Sequence, residues 1–221
     1  KSMIKFMKDE YGVDPVYEAQ AGEKETDFRS FLLKAKAANP DAIVLSGLVD
    51  ETVRALKQSY EVGIPKSVAR VANSVASKVE VPTNAGKAAV GVTYAAAFAA
   101  SDKRPIAKKF VKKIKDKYGV VPGHDFSQMQ DLLDMLRPAL EKAQLKFSGN
   151  LASDRNAVRD SIASITNFTG LASGPIGFCA AGSPECRDGN KTPVMIEYTK
   201  GGKNFKTKVA GTVTFNPSAG L

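Results

Sequence analysis

Apolar and polar positions change their spacing several times along the first hundred residues, and each change predicts a new element. Apolar residues recur three or four positions apart, as in an amphipathic helix, in residues 2–11, 27–38 and 50–62. Alternating or continuous apolar runs, as in strands, occupy residues 13–20, 41–48 and 67–72, and residues 86–98 contain a further strand, GVTYAAAF. Residues 42–45 are all apolar, which predicts a strand buried on both faces. This succession of helices and strands is typical of a parallel sheet with helices on both faces.

The pattern changes near residue 101, where helical spacing continues without intervening strands. Three helices are predicted, in residues 105–118, 125–143 and 153–165, and Pro138 should kink the second of them. Residues 170–178 are predicted to form an irregular strand, and residues 192–199 and 203–208 a hairpin around Gly201 and Gly202. An α/β region is therefore followed by a helical region and a final hairpin.

The composition is that of a globular protein, with 43% apolar and 25% charged residues among 221. The longest weakly polar run, residues 88–100, is shorter than the roughly 20 residues of a membrane-spanning helix. A net charge of +9 would attract nucleic acid or acidic ligands. Because the lysines are spread over helix faces and no aromatic and basic RNA-binding motif occurs, we expect no nucleic-acid partner.

Residue types that commonly carry catalysis are scarce. His124 is the single histidine, which excludes sites built around two histidines, and glycine-rich phosphate loops and the GxSxG motif are absent. The closest carboxylate pairs, Asp50 with Glu51 and Asp131 with Asp134, are better explained as a helix start and a solvated helix face. We therefore expect a protein that is not an enzyme and that uses no metal or cofactor.

Two cysteines, Cys179 and Cys186, lie in a turn-rich segment that contains glycine, serine and proline. Their spacing is too wide for a CxxC redox motif, and no second pair is available for zinc. The thiols are either free and buried or joined in a disulfide. We favour the disulfide because both residues lie in a loop rather than in an apolar stripe, and a disulfide indicates an oxidising compartment.

Small polar and apolar residues follow two of the predicted strands, in residues 46–49 and 72–74. In an open parallel sheet, ligands bind beyond the carboxyl ends of the strands. Helix capping explains each stretch taken alone. Two such stretches side by side predict a binding site that lacks an acid-base pair.

Several ordered motifs resemble one protein family. The segments ETDF, KAANPDAIVLSG, VRALKQSYEVGIP and NAGKAAVGV are similar to the second lobe of type I periplasmic solute-binding proteins, in particular the leucine/isoleucine/valine-binding type of ABC importers. The segment DLLDMLRPALEKA resembles the cleft-facing helix of the other lobe, and RNAVRDSIASITNFTGLASGP the segment before the last crossover. The similarity extends over nearly the whole chain.

The resemblance implies two α/β lobes with parallel sheets flanked by helices, which close on a small ligand. Residues 1–99 and 192–208 would form lobe 2, and residues 103–173 the helical part of lobe 1. Residues 92–99 and 174–193 would supply hinge crossovers, and residues 209–221 a C-terminal tail. Because the chain opens with a helix, the resemblance also implies that the N-terminal part of the fold, with its opening strand, is absent before Lys1.

The resemblance further implies ligand-binding positions. In amino-acid binders, the strand end occupied here by Leu48 and Val49 carries aromatic residues, and the position near Ala72 or Asn73 carries an acid that pairs with the ligand's ammonium. This sequence has no acid there, and a buried ammonium without a partner costs several kcal/mol. Ser74 follows as a further candidate ligand-binding residue. Gln130 occupies a cleft-helix position that is often tyrosine, and its amide both donates and accepts. These residues and the positive charge favour an organic acid, preferably an aromatic carboxylate.

The resemblance therefore implies a monomeric periplasmic protein that binds a small molecule and delivers it to an ABC permease in the membrane. Two alternatives share the fold: a protein for branched-chain or other amino acids, and the ligand-binding domain of a membrane sensor. A hydrolase is a third alternative, but it would need a nucleophile and base pair that the sequence lacks.

Overall fold

The computed structural model describes residues 2–22, 25–145, 150–172, 176–178 and 193–212. Its helices are α1 (Ser2–Tyr11), α2 (Arg29–Ala37), α3 (Val49–Glu61), α4 (Glu80–Ala85), α5 (Pro105–Tyr118), α6 (His124–Ala143) and α7 (Leu151–Ala163). Its strands are β1 (Ala42–Leu45), β2 (Ala69–Ala72), β3 (Val92–Ala96), β4 (Val194–Lys200) and β5 (Lys206–Thr212). Short 3-10 turns occupy Ser74–Ser77 and Gly86–Ala89. The structure confirms the mixed α/β fold with a sheet that contains parallel strands.

The chain divides into two compact units. Unit 1 comprises residues 1–76, 80–92 and 198–206, and unit 2 comprises residues 77–79, 93–197 and 207–221. No helix among the described residues is long and apolar enough to cross a membrane.

Unit 1 contains the predicted parallel strand pair. β1 and β2 run parallel, with Ala42 beside Ala69 and Leu45 beside Ala72, so the two strands end at the same level. A small core of Leu32, Ile64 and Val68 packs with partly buried apolar neighbours, among them Ile43 of β1. The crossover between β1 and β2 is α3, as expected for a βαβ unit.

One prediction for β1 is wrong, because the strand is not buried on both faces. Its residues alternate between exposed and partly buried, and Val44 is 50% exposed. Only Ile43 and Leu45 of β1 are partly buried. The continuous apolar run therefore does not correspond to a strand that is buried on both faces.

The strand predicted in residues 13–20 is also absent from the described structure. This segment has no regular secondary structure, and Val16 is 69% exposed. Alternating residues stabilise a strand only when a neighbouring strand accepts their hydrogen bonds and a core covers one face, and the segment obtains neither.

The end of β4 and the turn after it are anchored within unit 1. Tyr198 is fully buried, its hydroxyl donates to the carbonyl of Ala76, and its carbonyl accepts the N–H of Gly91 at 2.8 Å. In the turn, a Cβ on Gly201 would lie 1.7 Å from the carbonyl oxygen of Gly86. Only glycine permits so close an approach of two backbones.

Unit 2 combines an antiparallel strand pair with α5, α6 and α7. β3 pairs with β4 in the register Thr93 to Glu197 and Ala96 to Val194. The apolar face of α5 packs against Phe98 and Leu171. Together they form a core with Ala107, Phe110 and Ile114. The rings of Phe98 and Phe110 meet edge to face with centroids 5.8 Å apart. The helix predicted in residues 105–118 is confirmed, and its buried side chains Ala107, Phe110 and Ile114 form its core face.

Most predicted helices and the final hairpin are confirmed to within a few residues, since β4 and β5 flank Gly201 and Gly202. α6 is continuous through Pro138. The irregular strand predicted in residues 170–178 is reduced to an isolated bridge between Phe168 and Ile176 in the described part.

Candidate functional site

The carboxyl ends of β1 and β2 meet in unit 1. Leu45 and Ala72 are register partners, so the segments that follow them leave the sheet next to one another. The N–H of Asn73 donates to the carbonyl of Leu45 at 3.2 Å and extends the ladder by one bond. The two segments that the sequence singled out are thus brought together, as parallel strands of equal length require.

Asn73 links the two strand ends through its side chain. Its Nδ2 donates to the carbonyl of Gly47 at 3.1 Å, which ties the loop after β1 to the end of β2. Its Oδ1 is buried and has no hydrogen-bond partner among the described residues. A buried acceptor without a partner costs free energy unless a water or ligand satisfies it.

The other predicted residues of unit 1 surround this loop. Leu48 precedes α3 in extended conformation and is 70% exposed. Val49 is the first residue of α3 and is partly buried, and Ser74 begins the 3-10 turn and is exposed. Leu48 and Val49 thus directly follow Gly47, whose carbonyl accepts from Asn73.

Two residues on the first turn of α3 lie next to the loop that follows β1. Neither was predicted as a site residue. Glu51 accepts the N–H of Leu48 through Oε2 at 2.5 Å. The hydroxyl of Thr52 is buried and has no partner among the described residues, and it lies 3.8 Å from where a Cβ on Gly47 would be. Glu51, the third residue of α3, could have been expected to accept the N–H of the N-cap residue, although Leu48 has no side-chain oxygen to complete a capping box. Thr52 gives no sequence signal inside a helix.

Arg70, the second residue of β2, binds at the other end of the strand. Arg70 donates through Nη2 to the carbonyl of Ile64 at 3.0 Å, in the loop that precedes β2. Burial lowers the pKa of its guanidinium from the ordinary value. Arg70 therefore holds the amino end of β2 in place rather than its carboxyl end.

Gln130 lies in unit 2, on α6. Its side chain is partly buried, and Nε2 donates to Oδ1 of Asp134 at 2.9 Å, one helical turn further on. This bond uses one donor of the amide group. The amide oxygen of Gln130 can therefore still accept a hydrogen bond. Its role in ligand binding stays a prediction.

The residue after Gln130 corrects one sequence interpretation. Asp131 is 2% exposed, not part of a solvated face, and its two oxygens accept the N–H groups of Leu171 and Ala172 at 2.6 and 2.8 Å. A Cβ on Gly170 would lie 2.2 Å from Oδ1 of Asp131. The carboxylate therefore fixes the loop that passes over α6.

Arg104 holds the same loop from its other side. Its Nη2 donates to the carbonyl of Leu171 at 2.6 Å, and its Nε donates to Asp102 at 2.8 Å. The loop is thus bound by an acceptor at its N–H groups and by a donor at its carbonyls.

The predicted disulfide between Cys179 and Cys186 lies outside the described residues. Within the described part of the chain, no cluster of histidine, cysteine, aspartate and glutamate could hold a metal ion.

Comparison with known proteins gives a family match over most of the chain. A model of the periplasmic binding protein family matches residues 4–185. No curated protein shows significant sequence similarity to this chain.

Several solved structures share the fold. A leucine-binding protein, LivK, from Thermotoga maritima is 26% identical with a TM-score of 0.71, over 90% of this chain and 51% of that one. LivJ from Streptococcus pneumoniae, in complex with isoleucine, is 22% identical with a TM-score of 0.76, over 96% and 55%. An ABC transporter solute-binding protein from R. palustris, in complex with benzoate, is 17% identical with a TM-score of 0.74, over 96% and 54%. The chain thus spans about half the length of these structures.

Proposed function

Because the chain belongs to the periplasmic binding protein family, we propose that it is a solute-binding component of an ABC import system that binds a small organic acid. It acts by binding and not by catalysis, outside the cytoplasm, and it hands the solute to a permease in the membrane. The proposal includes the two lobes and hinge segments that the sequence predicts. The observation that carries it is the pair of strand ends joined by Asn73.

The strand ends supply unused hydrogen-bonding capacity. The Oδ1 of Asn73 and the hydroxyl of Thr52 are both buried and both lack partners among the described residues. The hydroxyl of Thr52 can donate to a carboxylate, whereas Oδ1 of Asn73 only accepts and needs a ligand donor such as a hydroxyl. A protein site gains specificity when a ligand satisfies groups that are otherwise unpaired. These groups support a polar ligand at the ends of β1 and β2.

The apolar residues next to them support an aromatic or similarly apolar body. Leu48 is 70% exposed, and covering a leucine side chain contributes roughly 1.5–3 kcal/mol. An aromatic carboxylate would bring its ring to Leu48 and Val49, and it would bring no cation. The benzoate complex among the structurally similar proteins is consistent with this choice of ligand.

An amino acid is the second candidate, and one observation favours it. Glu51 stands on the first turn of α3, where it accepts one N–H from Leu48. A carboxylate has several lone-pair sites and could still receive a ligand ammonium. Against this, Glu51 already caps its own helix, and the position of Asn73 is neutral.

Calorimetry distinguishes the two candidates. The protein is titrated with benzoate and with leucine, and the leucine titration is repeated with Glu51→Gln, which retains the shape but removes the charge. The aromatic-acid proposal predicts benzoate binding and weak leucine binding. Tight leucine binding that is lost in Glu51→Gln, without any response to benzoate, would replace it with the second candidate.

A further inference from the structure

Unit 2 contains an open cavity of about 370 Å³ that none of the proposed site residues lines. Its volume falls within the range of small-molecule sites. The wall comes from the C-terminal half of α6, from α7 and from the segment that follows α7. The lining residues are Met135, Pro138, Ala139, Lys142, Ser161, Ser164, Ile165, Thr166, Asn167 and Phe168.

The cavity has both apolar and polar walls, and a cation is among its lining residues. Met135, Pro138, Ile165 and Phe168 supply apolar surface, and Lys142 is exposed. The ammonium of Lys142 donates to the hydroxyl of Ser164 at 2.7 Å, which occupies one of its three donors. The remaining donors are available to an anion.

Ser161 provides a second polar group in the wall. The residue is 7% exposed, and its hydroxyl is buried without a partner among the described residues. It lies on α7, one turn before Ser164, whose hydroxyl in turn donates to the carbonyl of Ser161 at 2.7 Å. A buried hydroxyl without a partner costs free energy, and a water or a polar ligand in the cavity can satisfy it.

We propose that this cavity is a second binding site, for a small carboxylate with an aliphatic body. The carboxylate pairs with Lys142, and the hydroxyl of Ser161 can turn to meet it. The aliphatic body displaces water from Met135, Ile165 and Phe168. The site uses residues of unit 2 only, so it is independent of the strand-end site proposed in unit 1.

An NMR titration with hexanoate tests the site, because amide shifts report both the place and the affinity of binding. The variant Lys142→Gln removes the cation and retains part of the aliphatic stem. Lys113→Gln is the matched control, since it makes the same charge change on the exposed face of α5. The neutral analogue 1-hexanol separates the apolar contribution from the ionic one.

The proposal predicts that hexanoate shifts the amides of Ser161, Thr166 and Asn167. Lys142→Gln should raise the hexanoate Kd about fivefold, as expected for a partly solvated ion pair, and leave the hexanol Kd unchanged. Lys113→Gln should bind hexanoate as the wild type does. Ser161→Ala should weaken hexanoate about twofold.

Three results would overturn the proposal: no amide shifts, shifts confined to residues 46–49 and 73–74, or the same hexanoate Kd in Lys142→Gln and in Lys113→Gln. The second of these would leave the strand-end site intact while removing the cavity site, so the two proposals fail separately.

Discussion

The carboxylate of Asp131 on α6 accepts the backbone N–H of Leu171 at 2.6 Å, across 40 residues of sequence. Its other oxygen accepts the N–H of Ala172. The side chains of Leu171 and Ala172 both belong to buried apolar clusters, so the bond places two core residues at once. Asp131 therefore stabilises unit 2 as an acceptor for a loop backbone.

We predict that Asp131→Asn lowers the free energy of unfolding by about 2 kcal/mol. The asparagine oxygen can still accept one of the two backbone N–H groups. Its NH₂ group replaces the second carboxylate oxygen, so a donor then faces the other N–H. Urea denaturation provides the measurement. Asp134→Asn, one turn away on an exposed position, makes the same charge change and should alter stability by less than about 0.5 kcal/mol. If both variants lower the free energy of unfolding equally, the loss comes from removing a negative charge and not from the hydrogen bonds of Asp131.

The loop that Asp131 holds also requires a glycine. A Cβ on Gly170 would lie 2.2 Å from Oδ1 of Asp131, which forces the carboxylate away from both N–H groups. Gly170→Ala should therefore lower thermal stability, by about 2 kcal/mol or more in the free energy of unfolding. Gly22→Ala is the control, because nothing lies within 4 Å of its Cβ position. A Gly170→Ala protein as stable as Gly22→Ala would contradict the assigned geometry.

Tyr198 provides the corresponding test in unit 1. Tyr198→Phe removes the hydroxyl that donates to the carbonyl of Ala76 and leaves that carbonyl without its donor. The expected loss is about 1–2 kcal/mol in the free energy of unfolding, measured by denaturant titration. Tyr118→Phe, at a position that is 57% exposed, should have little effect. Indistinguishable denaturation midpoints in the two variants would rule out a stabilising role for the hydroxyl.

More of the fold than of the site could be predicted from the sequence. The strands β1 and β2 were predictable because each is a short apolar run next to an amphipathic helix, and local pattern suffices for a βαβ unit. α4 was missed because its residues include Val81, Pro82 and Thr83, which are poor helix formers. It forms because Val81, Pro82 and Ala85 are buried, and that burial depends on tertiary contacts.

In the site, too, features that follow from neighbouring elements could be predicted, and features that depend on distant residues could not. The adjacency of Gly47 and Asn73 follows from parallel pairing and could be predicted. The burial of Asp131 could not, because its partners are 40 and 41 residues away and an aspartate on a helix has the same sequence pattern whether solvated or buried. Thr52 was missed for the same reason, since its burial depends on the loop at Gly47.

The apolar character of the strand-end site is tested at Val49. Val49→Asp places a carboxylate on the first turn of α3, where a negative charge suits the helix but would repel an anionic ligand. Benzoate affinity, measured by calorimetry, should fall at least about tenfold. Val16→Asp makes the same substitution at a position that is 69% exposed and should leave affinity unchanged. Unchanged benzoate binding in Val49→Asp would remove this residue from the site.

The most direct test of the central claim is calorimetry on Asn73→Asp with benzoate and leucine, beside Asn204→Asp as a control in the exposed turn before β5. The substitution is nearly isosteric and puts an acid at the point where β1 and β2 end together. Because it also replaces the Nδ2 donor to the carbonyl of Gly47 by an acceptor, the urea midpoint of the variant is measured beside its affinities to separate charge from loss of the loop. We predict that Asn73→Asp weakens benzoate at least about tenfold and strengthens leucine, because a carboxylate repels the anion and pairs with the ammonium. Asn204→Asp should change neither affinity. Benzoate and leucine affinities in Asn73→Asp equal to those of the wild type would contradict a ligand site at the ends of β1 and β2.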